Sequence, residues 1–147
     1  MVRRTMGCLA AGVFLLDRGS KMLLENCSLE LLPGLLSLRP ARNTGAALSL
    51  MNGSPVLITV LTALLSLALL IVCFRTRWDK LTGTALSLLL GGALGNLWDR
   101  LFFGYVIDFI DMKLFICNVA DIAVTFGVIL LAVRLLFGKD DHGKHCA

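Results

Sequence analysis

Residues 55–74 read PVLITVLTALLSLALLIVCF, twenty positions without a charged side chain. An α-helix needs about 20 apolar residues to cross a hydrocarbon core about 30 Å thick, so this stretch predicts a transmembrane helix. Residues 81–98, LTGTALSLLLGGALGNLW, are also uncharged and predict a second one. The six residues between them, RTRWDK, predict a short basic hairpin loop.

Two further helices are expected on either side of this pair, at residues 5–24 and 119–137. The first is apolar until three charged residues near its end, and the second has one acid near its start and one base near its end. A cleaved signal peptide is the competing interpretation of the first stretch. Its apolar run ends in Asp17-Arg18 instead of a small-residue cleavage site, so we expect the helix to be retained. The predicted fold is membrane α-helical, a four-transmembrane-helix bundle forming one domain over residues 1–147.

The overall composition agrees with a chain that folds in lipid. Hydrophobic residues make up 57% of the 147 positions, charged residues only 16%, and the mean hydropathy is +0.84. Soluble domains carry about a quarter charged residues, and disordered chains are far less apolar. This composition therefore excludes both classes.

The positions of the basic residues predict how the chain is oriented. Eight of the fourteen Lys and Arg residues would fall on one side of the membrane: Arg3, Arg4, Arg75, Arg77, Lys80, Arg134, Lys139 and Lys144. Because basic loops stay cytoplasmic, we expect both termini, including the tail 138–147, in the cytoplasm. Residues 25–54 and 99–118 would then lie outside. The net charge of +4 reflects topology, and no nucleic-acid partner is expected.

The outer segments contain signals for extended structure. Residues 29–38 are mainly apolar and are interrupted by Pro33-Gly34, a typical turn dipeptide. Residues 105–111, YVIDFID, are β-branched and aromatic, which favours a short strand. A small extracytoplasmic β-sheet and loop subdomain is therefore expected on the outer ends of the helices.

Polar side chains gather at the outer ends of three predicted helices. They are Asp17 and Lys21 on the first, Asn96, Asp99 and Arg100 on the third, and Asn118 and Asp121 on the fourth. Such groups are costly within a membrane unless paired and are therefore candidates for function. The i, i+4 spacing of Asp17 and Lys21 predicts an ion pair. The connection after the third helix is short enough to bring Asp108 back against Asp121.

A pair of carboxylates at one site indicates a specific chemistry. Two acids in contact do not both ionise freely, so one can hold a proton that the other lacks. Such a pair can activate water and protonate a leaving amine, the two transfers that amide hydrolysis needs, without metal or cofactor. The simpler alternative is that Asp121 only caps the fourth helix.

Five motifs occur in order along the chain: DRGSK (17–21), NTGAA (43–47), GALGNLWDR (92–100), VIDFID (106–111) and NVAD (118–121). Together they resemble the lipoprotein signal peptidase, or signal peptidase II, family. The resemblance implies an aspartic endopeptidase of the bacterial inner membrane, with its active site at the outer face. Its substrates would be prolipoproteins bearing a diacylglyceryl-cysteine, cleaved just before that cysteine. The family's catalytic aspartates match Asp108 and Asp121.

The same resemblance implies a set of supporting residues. The family's conserved polar positions match Asp17, Lys21, Asn43, Asn96, Asp99, Arg100 and Asn118. As hypotheses, Asn118 orients the Asp121 carboxylate, Asn96 and Arg100 hold Asp108 or the substrate backbone, and Asn43 bonds the extended peptide. Asp17 and Lys21 would brace the first helix, and Asp99 would tie the third helix to the following loop. Family members commonly have Gln where this chain has Arg18.

Several other interpretations remain open from the sequence. A small transporter with intramembrane acids, or an assembly factor without enzymatic activity, would also carry buried polar groups, although transporters usually place them near the midplane. Gly91 and Gly95 have the spacing of close helix packing. The five cysteines include Cys27 and Cys117, which could meet outside, but their pairing stays undetermined. We expect a monomer surrounded by membrane lipid.

Overall fold

The computed structural model describes residues 2–45, 54–75 and 78–137. Its elements are α1 (Val2–Leu24), β1 (Leu29–Leu32), β2 (Leu36–Asn43), α2 (Pro55–Arg75), α3 (Lys80–Phe103), β3 (Val106–Asp111), β4 (Ile116–Cys117) and α4 (Val119–Phe137). Helices α1, α2 and α4 agree with the predicted ranges within a few residues. The cytoplasmic tail predicted at 138–147 lies outside the described residues.

The predicted end of the third helix, residue 98, was too early, because α3 continues to Phe103. Asp99 lies just beyond the predicted end, but its carboxylate is fully buried and paired, so it does not interrupt the helix. The helix ends at Gly104, whose φ of 78° is left-handed and whose N–H donates to the Arg100 carbonyl at 3.2 Å.

Three of the helices, α2, α3 and α4, are long and apolar enough to cross a membrane. Helix α2 presents large apolar side chains outward, such as Leu64 and Leu65, which are 58% and 57% exposed. A helix that is apolar on its exposed side needs lipid or protein around it. The chain is therefore a membrane protein.

Helix α3 is the centre of the bundle and packs against α1, α2 and α4. Glycines permit the two closest approaches. A Cβ at Gly91 would lie 2.6 Å from the Ala10 carbonyl oxygen of α1, and one at Gly92 would lie 2.5 Å from the Ala120 carbonyl oxygen of α4. The expectation that the glycines of the third helix serve close packing is confirmed.

The four strands form an antiparallel sheet in the order β1-β2-β3-β4, as expected for the outer segments. Strands β1 and β2 are joined at the predicted Pro33-Gly34 turn, where Gly34 has a φ of 74°. The β2–β3 register aligns Ala41 with Asp108. This pairing brings the end of β2 beside Asp108, and the short connection from β4 leads directly into α4.

Candidate active site

A cavity of about 530 Å³ lies where the sheet meets α3 and α4. Five predicted site residues line it: Asn43, Asn96, Arg100, Asp108 and Asp121. The remaining wall is mostly apolar and includes Met112, Phe115, Ile122, Val124 and Phe126. The cavity is therefore amphipathic, with both candidate catalytic carboxylates on its polar side.

Asp108 projects from the central part of β3 and is only 2% exposed. Its Oδ2 accepts a hydrogen bond from Asn43 Nδ2 at 2.9 Å, and its Oδ1 accepts one from Asn118 Nδ2 at 2.5 Å. Burial raises the pKa of Asp108 to about 6, the bond from Asn43 opposes that rise, and the charge of Asp121 adds to it. Asp108 is therefore suited to hold a proton in weakly acidic conditions, up to a pH of about 6.

Asp121 lies in the first turn of α4 and makes two kinds of contact. Its Oδ2 accepts from the Asn118 backbone N–H at 3.2 Å, while its own N–H donates to Asn118 Oδ1 at 2.9 Å. This reciprocal pair is a capping box. Its other oxygen, Oδ1, accepts from Asn96 Nδ2 at 2.8 Å beside the cavity. Asp121 thus caps the helix and also faces the cavity, so the two interpretations of this residue are compatible.

Asn118 connects the two carboxylates and is fully buried. Its amide Nδ2 donates to Asp108 and also to Asn96 Oδ1 at 3.2 Å. This arrangement differs from the sequence-based hypothesis, in which Asn118 orients Asp121 and Asn96 holds Asp108 or the substrate backbone. The Asn118 side chain holds the Asp108 carboxylate, whereas the Asn96 side chain holds that of Asp121. The result is one hydrogen-bond network containing both acids.

Arg100 lines the cavity together with Asp108 and Asp121. Its guanidinium donates to the carbonyl oxygens of Asn96 at 3.3 Å and Gly45 at 3.5 Å. It forms no ion pair with any residue in the described parts of the chain. A half-buried guanidinium held by carbonyls alone retains donors for a substrate carbonyl.

Asp17, Lys21 and Asp99 lie behind the cavity, all with 0% exposure. The predicted i, i+4 ion pair is present, with Lys21 Nζ 2.7 Å from Asp17 Oδ2. Asp99 Oδ2 accepts from the Ile107 backbone N–H at 3.1 Å, so Asp99 does connect α3 to the following strand. An ion pair between Arg18 and Asp99 was not predicted. The signal was a basic residue, Arg18, next to Asp17 and after a long apolar run.

Cys117 lines the cavity as a buried free thiol. Burial and the nearby acids raise its pKa to about 11, which keeps it protonated and unsuited to nucleophilic attack. Cys27 is also a free thiol, so the structure contains no Cys27–Cys117 disulfide. His142 and His145 lie outside the described residues. Within the described ranges, no group of three or more His, Cys, Asp or Glu side chains is placed to hold a metal ion.

Comparison with known proteins agrees with this geometry. A family model described as signal peptidase (SPase) II matches residues 9–137. The lipoprotein signal peptidase of Moorella thermoacetica is 36% identical over 143 residues, covering 92% of this chain and 95% of that protein. Its counterpart in Syntrophomonas wolfei is 41% identical over 134 residues, covering 86% of this chain and 90% of that protein.

Two solved structures, both described as bacterial membrane enzymes, have the same fold. One has a TM-score of 0.83 at 30% identity and covers 97% of this chain and 94% of its own. The other has a TM-score of 0.79 at 32% identity, with coverages of 92% and 94%. The likeness therefore includes nearly the whole chain, the helices and the sheet together.

Proposed function

Because the chain belongs to the signal peptidase II family, we propose that Asp108 and Asp121 are the catalytic pair with which it cleaves lipoprotein signal peptides. The protein is a membrane peptidase, and the aspartic type fits its family. The transporter and assembly-factor alternatives have no support. One observation carries the proposed pair: both carboxylates line the same cavity and are joined through Asn96 and Asn118.

The proposed reaction follows from the environments of the two acids. Asp121 accepts a proton from a water molecule, whose oxygen attacks the scissile carbonyl carbon. Asp108, whose pKa is raised by burial, donates its proton to the leaving amide nitrogen as the C–N bond breaks. The products are a carboxylic acid on the signal peptide and an amine on the mature chain. The proton that Asp121 took from water then passes to Asp108, which restores the starting protonation of the pair.

The cavity wall supports a substrate that is both peptide and lipid. Asn43 and Arg100 provide amide and guanidinium donors on the polar side, suited to an extended peptide backbone. The apolar wall of the cavity presents side chains such as Phe115, Ile122 and Phe126. We propose that the substrate bears a diacylglyceryl-cysteine, whose acyl chains lie along this wall, and that cleavage occurs just before that cysteine.

The membrane arrangement is also a proposal. Helix α1 would be a fourth span because its buried ions, Asp17 and Lys21, face protein, while Leu15 and Leu16 are 65% and 67% exposed. Basic residues at the opposite end of the bundle support cytoplasmic termini in a bacterial inner membrane. The catalytic pair then lies at the outer face, where the freed backbone groups of a signal helix can meet water or protein donors. The protein would act as a monomer.

The test is to replace each acid with its amide. Asp108→Asn and Asp121→Asn remove the proton transfers, so each should slow cleavage of a diacylglyceryl-modified prolipoprotein by roughly 10²–10⁴-fold. Asp111→Asn, on the same strand, is the matched control and should retain activity. The assay is run in detergent with and without a chelator. Full turnover by either active-site variant would refute the catalytic pair, and loss of activity with chelator would indicate a metalloprotease.

A further inference from the structure

The backbone N–H immediately before each catalytic aspartate is held by a buried carboxylate. The Ala120 N–H, next to Asp121, donates to Asp17 Oδ1 at 2.9 Å. The Ile107 N–H, next to Asp108, donates to Asp99 Oδ2 at 3.1 Å. A carboxylate from α1 therefore holds α4, which carries Asp121, and a carboxylate from α3 holds β3, which carries Asp108.

A single ammonium group joins these two carboxylates. Lys21 Nζ lies 2.7 Å from Asp17 Oδ2 and 2.8 Å from Asp99 Oδ2. All three side chains have 0% exposure, so their attraction is not weakened by water. Arg18 pairs with the other Asp99 oxygen and balances the second negative charge. We call Asp17, Lys21 and Asp99 the buried bridge.

The buried bridge also reaches the catalytic side chains. Lys21 Nζ donates to Asn96 Oδ1 at 3.3 Å, which fixes the orientation of that amide. The Nδ2 of Asn96 is then directed at Asp121 Oδ1, at 2.8 Å. Lys21 thus acts on Asp121 in two ways. It orients Asn96, which binds the Asp121 carboxylate, and it holds Asp17, which binds the neighbouring Ala120 N–H.

We propose that Lys21 is a positioning residue that sets the separation of Asp108 and Asp121 through the buried bridge. The inference rests on the proposed catalytic pair. Because the buried bridge holds the backbone N–H next to each aspartate, it determines where β3 and α4 lie relative to each other. Because a misplacement of about 1 Å can cost roughly a hundredfold in rate, loosening this link should lower turnover more than substrate binding.

The choice of variants follows from the charges. Lys21→Met alone would leave two buried carboxylates facing each other without a cation, which would threaten folding. Asp17→Asn keeps an oxygen for the Ala120 N–H but turns an amide toward the ammonium and breaks the bridge. Asp17→Asn/Lys21→Met removes one charge of each sign with nearly isosteric side chains, and neutral replacement of a buried pair commonly preserves stability.

The experiment measures kcat and KM for folded, purified protein on a diacylglyceryl-modified substrate. Both Asp17→Asn and the double variant should lower kcat by roughly 10–100-fold with KM changed less than about threefold. Arg134→Met is the matched control, since it removes a cation that lies 3.5 Å from Asp79 outside the buried bridge. Its kcat should stay within about twofold.

Unchanged kcat in the double variant would overturn the positioning role. So would a decrease in activity that is fully explained by a smaller fraction of folded protein. The substitutions of the catalytic acids are measured in parallel. If they remain active, the proposed catalytic pair is wrong. If they are inactive while the bridge variants turn over normally, only the positioning role is wrong.

Discussion

At the scale of single residues, three asparagine amides distinguish two otherwise similar acids. Asn43 and Asn118 occupy both oxygens of the buried Asp108, whereas Asn96 and a backbone N–H occupy those of Asp121. An amide gives a carboxylate a donor without adding a charge. Both carboxylates are therefore held by neutral donors, and the charge of Lys21 only partly opposes the raised pKa of Asp108.

The pH dependence of the reaction should report the proton on Asp108. Its pKa is raised to about 6, so the proton is present below that pH and lost above it. If Asp108 is the acid that protonates the leaving amine, kcat/KM should fall as the pH rises through about 6. Asn43→Ala removes a bond that favours the ionised form, so the fall should move to higher pH. The measurement is the pH profile of kcat/KM for both proteins.

Asn26→Ala, on the exposed loop after α1, is the control and should leave the profile unchanged. A profile that stays in place or moves to lower pH for Asn43→Ala would contradict the assignment of the proton to Asp108.

Sequence reasoning identified the polar residues near the cavity and the Asp17–Lys21 ion pair, but not which amide meets which acid. The acids and amides stand out because polar groups are rare in this chain and gather at the same ends of the predicted helices. Which amide meets which acid depends on rotamers and on the register of β3, and neither follows from spacing. The apolar wall was also missed, because Phe115, Val124 and Phe126 look like any lipid-facing side chain.

At the scale of elements, α3 determines where the site lies. Its glycines bring α1 and α4 within contact of its backbone, and its last two turns carry Asn96 and Asp99, which bind Asp121 and β3. The predicted end at residue 98 was wrong because a charged residue was taken as a helix boundary. Asp99 remains helical since buried cations compensate its charge, a tertiary effect that composition does not reveal.

Substitution of Gly92 should damage both stability and activity. A Cβ there would lie 2.5 Å from the Ala120 carbonyl oxygen and 2.8 Å from Val124 Cγ2, so α4 has to move. Overpacking of this kind costs about 1–3 kcal/mol. Because Ala120 adjoins Asp121, the displacement should also lower kcat. Thermal unfolding and turnover of Gly92→Ala provide the measurement.

Gly12→Ala in α1 is the matched control, since a Cβ at Gly12 meets no atom within 4 Å. It should unfold at the same temperature as the parent or slightly higher, because alanine favours helix. Equal stability and activity of the two variants would show that the α3–α4 approach is not tight.

At the scale of the whole molecule, the distribution of charge explains how a helix with internal ions can lie in lipid. Helix α1 carries Asp17, Arg18 and Lys21, and for that reason it is less apolar than the other three. Asp17 and Lys21 have no exposed surface, and together with Arg18 they balance the charge of Asp99. The lipid would therefore meet mainly apolar side chains. The buried ions lower the hydropathy of α1, but they also attach this helix to the bundle.

Cysteine accessibility tests whether α1 crosses the membrane. Cys27 follows the C-terminal end of α1 and is partly exposed, and Arg4 lies in the first turn with an exposed side chain. Two variants retain a single cysteine each, either native Cys27 or Arg4→Cys, with all other cysteines replaced by serine. In spheroplasts, a membrane-impermeant maleimide should label Cys27 directly but label position 4 only after permeabilisation. Labelling of both positions from the same side would mean that α1 does not cross, leaving three spans and termini on opposite faces.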